Sequence, residues 1–231
     1  MTARHPLDCY LSPPCTALAL RAHLEASPET AEALHGWHWH DPFAGPAYMF
    51  ETLVRGVDGP PSTRLRMSAR ELDTRWGDEI CRRVYPAHAR VGEDSFEHDW
   101  PRAHVATNFP YGRDEAVQRL RDHARTHGRY ACALMRTDWW QHPGRFEELR
   151  PDELLMLTWR PGFGYRLDRA SGKVVFSTDR YTGYVWALWA PRPAASCAFA
   201  TLPRPEVPRA LRDEHRRLAR MAYDMAHAEA A

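Results

Sequence analysis

Residues His104 to Gly112 read HVATNFPYG. Val105, Ala106 and Thr107 form a short apolar run of strand type, and Asn108, Phe109, Pro110 and Tyr111 break it. After Gly112, Arg113 to His127 has the pattern of a charged helix that Gly128 ends. A strand that ends this way brings three tools to one point. The Asn108 side-chain carbonyl accepts a hydrogen bond from an amino group. Pro110 fixes the turn and leaves neighbouring carbonyls unpaired, and Tyr111 offers a face on which a planar base can stack. Together they suit the grip of a planar primary amine.

Working outward, the chain alternates strands and helices. Upstream, Asp8 to Leu24 has Tyr10, Ser12 and two prolines before apolar residues at helical spacing, so Ser12 is expected to cap a helix that Pro13 starts, with free N–H groups ready for a carboxylate. Trp37 to His40 then leads through Asp41, Pro42, Phe43, Ala44 and Gly45 into helix-prone Tyr48 to Val54, a tight strand-to-helix turn in which glycine lets backbone approach a ligand. Leu65 to Ala69 is a second strand, followed by Glu71 and Asp73. A carboxylate at the end of a second strand, about two dozen residues past a glycine turn, can accept both hydroxyls of a ribose. Glu71 is the first choice and Asp73 the second. A third strand and an acidic loop, ARVGEDSFEHDW, precede His104.

Downstream, Tyr130 to Met135 is a strand apolar enough to be buried on both faces. Leu154 to Thr158 and Tyr184 to Trp189 follow, separated by a Gly-, Arg- and Tyr-rich stretch. The expected fold is α/β, a doubly wound Rossmann-like sheet with an antiparallel edge strand. The expected organisation is a catalytic domain over 1–190, a proline-rich surface linker over 191–208, and a C-terminal helix over 209–231. In that helix Arg209, Arg212, Arg216 and Arg220 share one face, and Leu211, Leu218, Ala222 and Met225 the opposite one.

On these residues the chain resembles the S-adenosylmethionine-dependent amino-methyltransferases, especially the phage and bacterial DNA adenine-N6 methyltransferases, whose signature is Asn or Asp, Pro, Pro, then Tyr, Phe or Trp. Phe109 departs from the usual second residue; related enzymes acting on adenine amines of ribosomal RNA carry Ile or Leu there. The resemblance covers roughly residues 8 to 190. It implies S-adenosyl-L-methionine as cofactor, with Tyr10, Ser12 and Pro13 closing over its methionine end. DPFAG would be the first cofactor motif, in which Asp41 meets the methionine amino group and Phe43 and Gly45 complete the loop. Ala47 stands where a second glycine is expected. Glu71 would hold the ribose and Asp94 the adenine amino group, with Glu93, Glu97 and Asp99 as competitors. Asn108, Phe109, Pro110 and Tyr111 would be catalytic, and Asn108 would also border the cofactor. The implied reaction is methyl transfer to the N6 amine of adenine in DNA, with the base flipped from the duplex. Alternatives are an RNA adenine, a protein glutamine, or a methyltransferase-like subunit without turnover.

Composition bounds this reading. The chain has 231 residues, enough for one sizeable domain, 44% of them apolar. No apolar run approaches a membrane span, and the N-terminus lacks the pattern of a signal peptide, so a cytoplasmic protein is expected. Cys9, Cys15, Cys81, Cys132 and Cys197 are scattered and without a CxxC pair, which disfavours a disulfide framework and a zinc site. His35, His38 and His40 are closely spaced, but they read as the rim of a strand and no metal is expected. Lys173 is the single lysine, and the formal net charge is +1. Any attraction to DNA must therefore be local. Arg160, Arg166, Arg169 and Arg180, interleaved with Tyr165 and Tyr181, form the candidate nucleic-acid contact.

Overall fold

A computed structural model describes residues 11–108, 114–162, 164–168, 173–177 and 183–228. In chain order the elements are α1 (Pro14–Glu25), α2 (Pro28–Gly36), β1 (Trp39–Asp41), α3 (Tyr48–Arg55), β2 (Met67–Glu71), α4 (Gly77–Arg83), β3 (Ala89–Val91), β4 (His104–Thr107), α5 (Asp114–His127), β5 (Ala131–Arg136), α6 (Pro143–Leu149), β6 (Glu153–Leu157), β7 (Gly164–Asp168), β8 (Lys173–Ser177), β9 (Tyr184–Trp189), β10 (Ala198–Leu202) and α7 (Arg209–Ala228). Eight strands form one sheet in the order β10-β6-β9-β5-β4-β1-β2-β3, and β7 and β8 form a separate antiparallel two-stranded sheet. β9 is antiparallel to both β5 and β6, while the other neighbouring pairs of this sheet are parallel.

The doubly wound sheet expected from the sequence is therefore present. The antiparallel strand stands near one edge, with β6 and β10 outside it. β10 corrects the expected linker: residues 198–202 pair in register with Glu153–Leu157, so the proline-rich stretch contributes to the sheet. Its prolines flank the strand, where no ladder donor is needed.

Strand alternation divides the core into two layers. Trp39, Ala106, Cys132, Leu134, Trp186 and Leu188 point to a cluster that includes Leu20 and Leu24 of α1, Leu34 of α2, Phe50 and Leu53 of α3, Ile80 of α4 and Leu218 of α7. Val105, Ala131, Ala133, Val185 and Ala187 point the other way, onto Val117, Leu120 and Ala124 of α5 and Leu149 of α6. This two-residue period, with both faces covered, explains why the central strands read as continuous apolar runs.

α7 docks by its apolar side. Leu218 and Ala219 are wholly buried, the Tyr48 hydroxyl donates to the Leu211 carbonyl, and His215 stacks on Tyr48. Buried Arg83 pairs with Glu79, and Glu79 and Glu214 both pair with Arg217, tying α4 to α7. Those partners hold the Glu79 carboxyl down at about 2 against the opposing effect of its burial. On the exposed face, Asp213 pairs with Arg209 and Arg216, and Asp224 with Arg220. Three of the four stripe arginines are thus ion-paired along the helix, by two carboxylates.

Leu218→Ala is expected to lower stability by about 2–5 kcal/mol through a core cavity, and Arg216→Ala to change it by no more than about 0.5 kcal/mol. Denaturant unfolding of the two variants checks both.

Candidate active site

The parallel strands β1, β2, β3 and β4 end at the same edge of the sheet, and the chain order reverses across β1, which pairs with β2 on one side and β4 on the other. A crevice outside the carboxyl ends of strands at such a reversal is where open α/β sheets hold ligands. Asp41, Glu71, Asp94 and Asn108 all lie at or just beyond those strand ends.

The loop after β1 is tightly stitched. Gly45 and Ala47 both have left-handed backbone, with φ of 52° and 57°. Ala47, where the family pattern has glycine, thus keeps the backbone shape glycine would favour, at the steric cost a Cβ carries in that region. The Gly45 N–H donates to Glu71 Oε2 at 2.6 Å, and the Ala44 N–H donates to the Arg70 carbonyl at 3.0 Å. The second Glu71 oxygen accepts from the Asp73 N–H at 2.8 Å. Asp73 in turn accepts from Arg75, whose guanidinium reaches the Met225 carbonyl at the end of α7. Glu71 therefore faces the glycine loop, while Asp73 is engaged by Arg75.

Asp41 is 1% exposed, and its Oδ1 accepts from the Phe43 N–H at 3.1 Å. Burial pushes its carboxyl up to about 7, the nearby Glu71 charge adding to the rise and the Thr107 hydroxyl and Phe43 N–H opposing it. Burial also raises Glu71, against the pull of the Asp73 and Gly45 N–H groups. The Phe43 ring meets Phe96 with centroids 5.2 Å apart, which joins the β1 loop to the loop after β3.

In that second loop Asp94 Oδ1 accepts from the Phe96 N–H at 2.9 Å. Its competitor Glu93 is drawn to Arg70, with 3.2 Å between Nε and Oε2. Arg119 of α5 went unnoticed in the sequence. It donates to the carbonyls of Ser95, Phe96 and His98, and its guanidinium lies 4.7 Å from the Trp100 ring centre. Its hydrogen-bond partners lie more than twenty residues upstream, so no local pattern marks it.

At the end of β4, Asn108 Nδ2 donates to Ser12 Oγ at 2.9 Å. The expectation that Ser12 caps α1 is corrected: the N-cap is Pro13, without a side-chain cap, and the Pro13 carbonyl accepts from the N–H and the hydroxyl of Thr16. The strand-end asparagine captures the serine hydroxyl instead. Tyr10, Phe109, Pro110, Tyr111, Arg169 and Arg180 lie outside the described residues, as does the side chain of Arg166 on β7; Arg160 is exposed just beyond β6.

His38 and His40 share the Ser68 hydroxyl at 2.9 and 3.0 Å. Burial, reinforced by the nearby Arg70 charge, lowers His40 to about 3 and keeps it neutral. Among the described residues, no group of three His, Cys, Asp or Glu side chains is disposed to hold a metal ion.

The sequence matches no protein-family model and no curated protein. Solved structures do match. A Listeria monocytogenes protein assigned to the class I S-adenosylmethionine-dependent methyltransferases superposes with a TM-score of 0.51 at 11% identity, over 92% of this chain and 71% of the other. The methyltransferase subunit of a type I restriction-modification system from Streptococcus thermophilus gives 0.53 at 14% identity, over 83% of this chain and 47% of that subunit. The chain thus spans less than half of that subunit. Its fold is that of the class I S-adenosylmethionine-dependent methyltransferases, with β9 inserted between β5 and β6.

Two outcomes follow for the β1 loop. Ala47→Gly is expected to stay within about 1 kcal/mol of wild type, whereas Ala47→Val should cost more than about 2 kcal/mol, because a β-branched residue strongly resists left-handed backbone; thermal unfolding distinguishes them. The Asp41 carboxyl, at about 7 in the fold against 3.8 for its ordinary value, gives the native state more bound protons than the unfolded chain between those limits. Stability should therefore fall as pH rises from about 4 to about 7. Asp41→Asn should flatten that fall and be more stable than wild type at pH 8, as unfolding at pH 5 and pH 8 would reveal.

Proposed function

We propose that the protein is an S-adenosyl-L-methionine-dependent methyltransferase acting on the N6 amine of adenine in DNA. The observation that carries the reading is Asn108 at the end of β4, hydrogen-bonded to Ser12 and sharing the reversal-point edge with Asp41 and Glu71.

The residues present fit the cofactor. The left-handed turn at Gly45 and Ala47 gives a loop whose backbone a ligand can approach closely, and α3 begins at the next residue, aiming N–H groups toward the same place. Asp41 suits the methionine ammonium, Glu71 the ribose hydroxyls and Asp94 the adenine amino group, with Phe43 and Phe96 as apolar walls. Tyr10, Ser12 and Pro13 would close the methionine end. When bound, the cofactor supplies an electrophilic methyl group on a sulfonium.

The chain's own contribution is grip and alignment. Asn108 would accept a hydrogen from the target amine through its side-chain carbonyl, and the Pro110 carbonyl would accept the other, leaving the nitrogen lone pair directed at the methyl group. Tyr111 would stack on the base, with Phe109 at the second position of the motif, where the family usually carries its first proline. As the new nitrogen–carbon bond formed, the carbon–sulfur bond would break and leave a neutral thioether; the cationic nitrogen could then release its proton to solvent water, so no general base would be needed and the rate would come chiefly from positioning.

The acceptor would be DNA with a flipped adenine. Residues 158–183 leave β6 and return through β9 at the same edge as Asn108, so Arg160, Arg166, Arg169 and Arg180 belong to an excursion beginning beside the site. Because three of the four arginines on the exposed face of α7 are already ion-paired, this excursion is the better candidate for phosphate contact. A fold neighbour from a restriction-modification system is compatible with a DNA acceptor.

Labelled cofactor incubated separately with DNA, RNA and protein, followed by mass analysis, should yield N6-methyladenine in DNA; label in RNA or protein would overturn the acceptor. Asn108→Ala should reduce transfer at least about a hundredfold with little change in cofactor affinity. Glu71→Ala should weaken cofactor binding by about 1.5–3 kcal/mol, the range for a hydrogen bond to a charged group. Because an ammonium beside Asp41 favours the ionised carboxyl, cofactor affinity should rise with pH up to about 7 and the rise should vanish in Asp41→Asn; titration calorimetry across pH reads both.

A further inference from the structure

We infer that Ser12 is a positioning residue for Asn108, its hydroxyl fixing the orientation of the Asn108 carboxamide and coupling the segment before α1 to the end of β4. The inference rests on the methyl-transfer reading above and goes beyond the closing role that the sequence suggests for Ser12.

Ser12 is 5% exposed and ahead of a helix, where a serine ordinarily satisfies a backbone N–H. Here it does not, since Pro13 is the N-cap and the side chain makes no cap bond. The hydroxyl is spent on Asn108 Nδ2, a residue 96 positions away.

The serine is itself a fixed point. Prolines 13 and 14 restrict the backbone that follows it. Leu11 before it is buried, Leu20 and Leu24 bury α1 in the core, and the Trp186 indole on β9 donates to the Thr16 carbonyl at 3.0 Å. A carboxamide has a donor end and an acceptor end on opposite sides of one plane. Holding the donor end against Ser12 turns the acceptor end, Oδ1, away from it, and Oδ1 is the atom the proposed chemistry requires for the amine. The terminal torsion of an asparagine is intrinsically broad and roughly two-fold, and the Ser12 bond is one restraint that narrows it.

The test compares Ser12→Ala, Ser12→Thr and wild type. Ser12→Ala should lower the single-turnover methyl-transfer rate about three- to tenfold, the size of one ordinary hydrogen bond, with the calorimetric Kd for S-adenosylmethionine within about twofold, and Ser12→Thr should restore the rate. In an Asn108→Ala background the Ser12 change should have no further effect on the rate. A Kd raised equally in both backgrounds, with the saturated rate unchanged, would make Ser12 a cofactor contact and overturn the inference. An activity-independent readout is exchange of the Asn108 side-chain amide protons by NMR, slower in wild type than in Ser12→Ala; equal exchange would overturn the inference too. If wild type transferred no methyl group to any acceptor, the proposed function would fail while the amide exchange still decided the Ser12–Asn108 restraint. Should Ser12→Ala fail to fold, Ser12→Cys, a poor acceptor of similar size, carries the same comparison.

Discussion

The reversal of chain order across β1 is the constraint on which the rest of the molecule depends. A three-residue strand, wholly buried, pairs in parallel with β2 on one side and β4 on the other. The connections leaving β1 and β4 then part to opposite faces of the sheet, α3 packing in one core layer and α5 in the other. The tight turn after β1, the carboxylate at the end of β2 and the asparagine after β4 all lie at the edge where they part. Because β1 is buried to its last residue, the Asp41 carboxyl is carried into the core, and its raised proton affinity follows from where the strand ends.

Hydrogen bonds between loops, rather than packing alone, set the shape of this edge. The β1 loop is joined to β2 through Gly45 and Glu71, and the β3 loop is held from the far layer by Arg119. The segment before α1 is joined to β4 through Ser12 and Asn108. Each bond links segments distant in sequence, so the edge exists only once both core layers have formed. Helix α7 extends this dependence, since Arg75 ties its last turn to the loop that presents Glu71.

Much of this was legible in the sequence. Strands β4, β5 and β9 read as buried runs because both faces are covered, and α5 declared itself by charge and its closing glycine. The tight turn after β1 and the place of Glu71 at the end of β2 followed from the order of strand, glycine turn and acid. Other elements carried weaker marks. α2 is short and polar, with only Ala33 and Leu34 buried, and α6 looked like a polar loop because Pro143 and Gly144 open it. β10 was hidden by flanking prolines and by exposure of four of its five residues. At Ser12 a sound local rule, serine before proline as a helix cap, lost to a partner on another strand. At Ala47 an alanine stands where a glycine is expected, yet the backbone adopts the left-handed turn regardless. The roles given to Phe109, Pro110 and Tyr111 stay with the sequence, outside the described residues.

The reversed direction of β9 has a further effect. Were β9 parallel to its neighbours, the chain leaving β6 would have to cross the full depth of the sheet before re-entering, and the connection would be committed to a crossover helix. With β9 antiparallel, the chain departs and returns on one side, and the two ends of the 158–183 excursion are separated by little more than one strand spacing. Lengthening a loop between fixed ends costs little in closure entropy, while β7 and β8 within the excursion are in contact with α7. Surface chemistry beside the crevice can thus diverge through the excursion while β1, β2 and β4 keep the geometry of the edge unchanged.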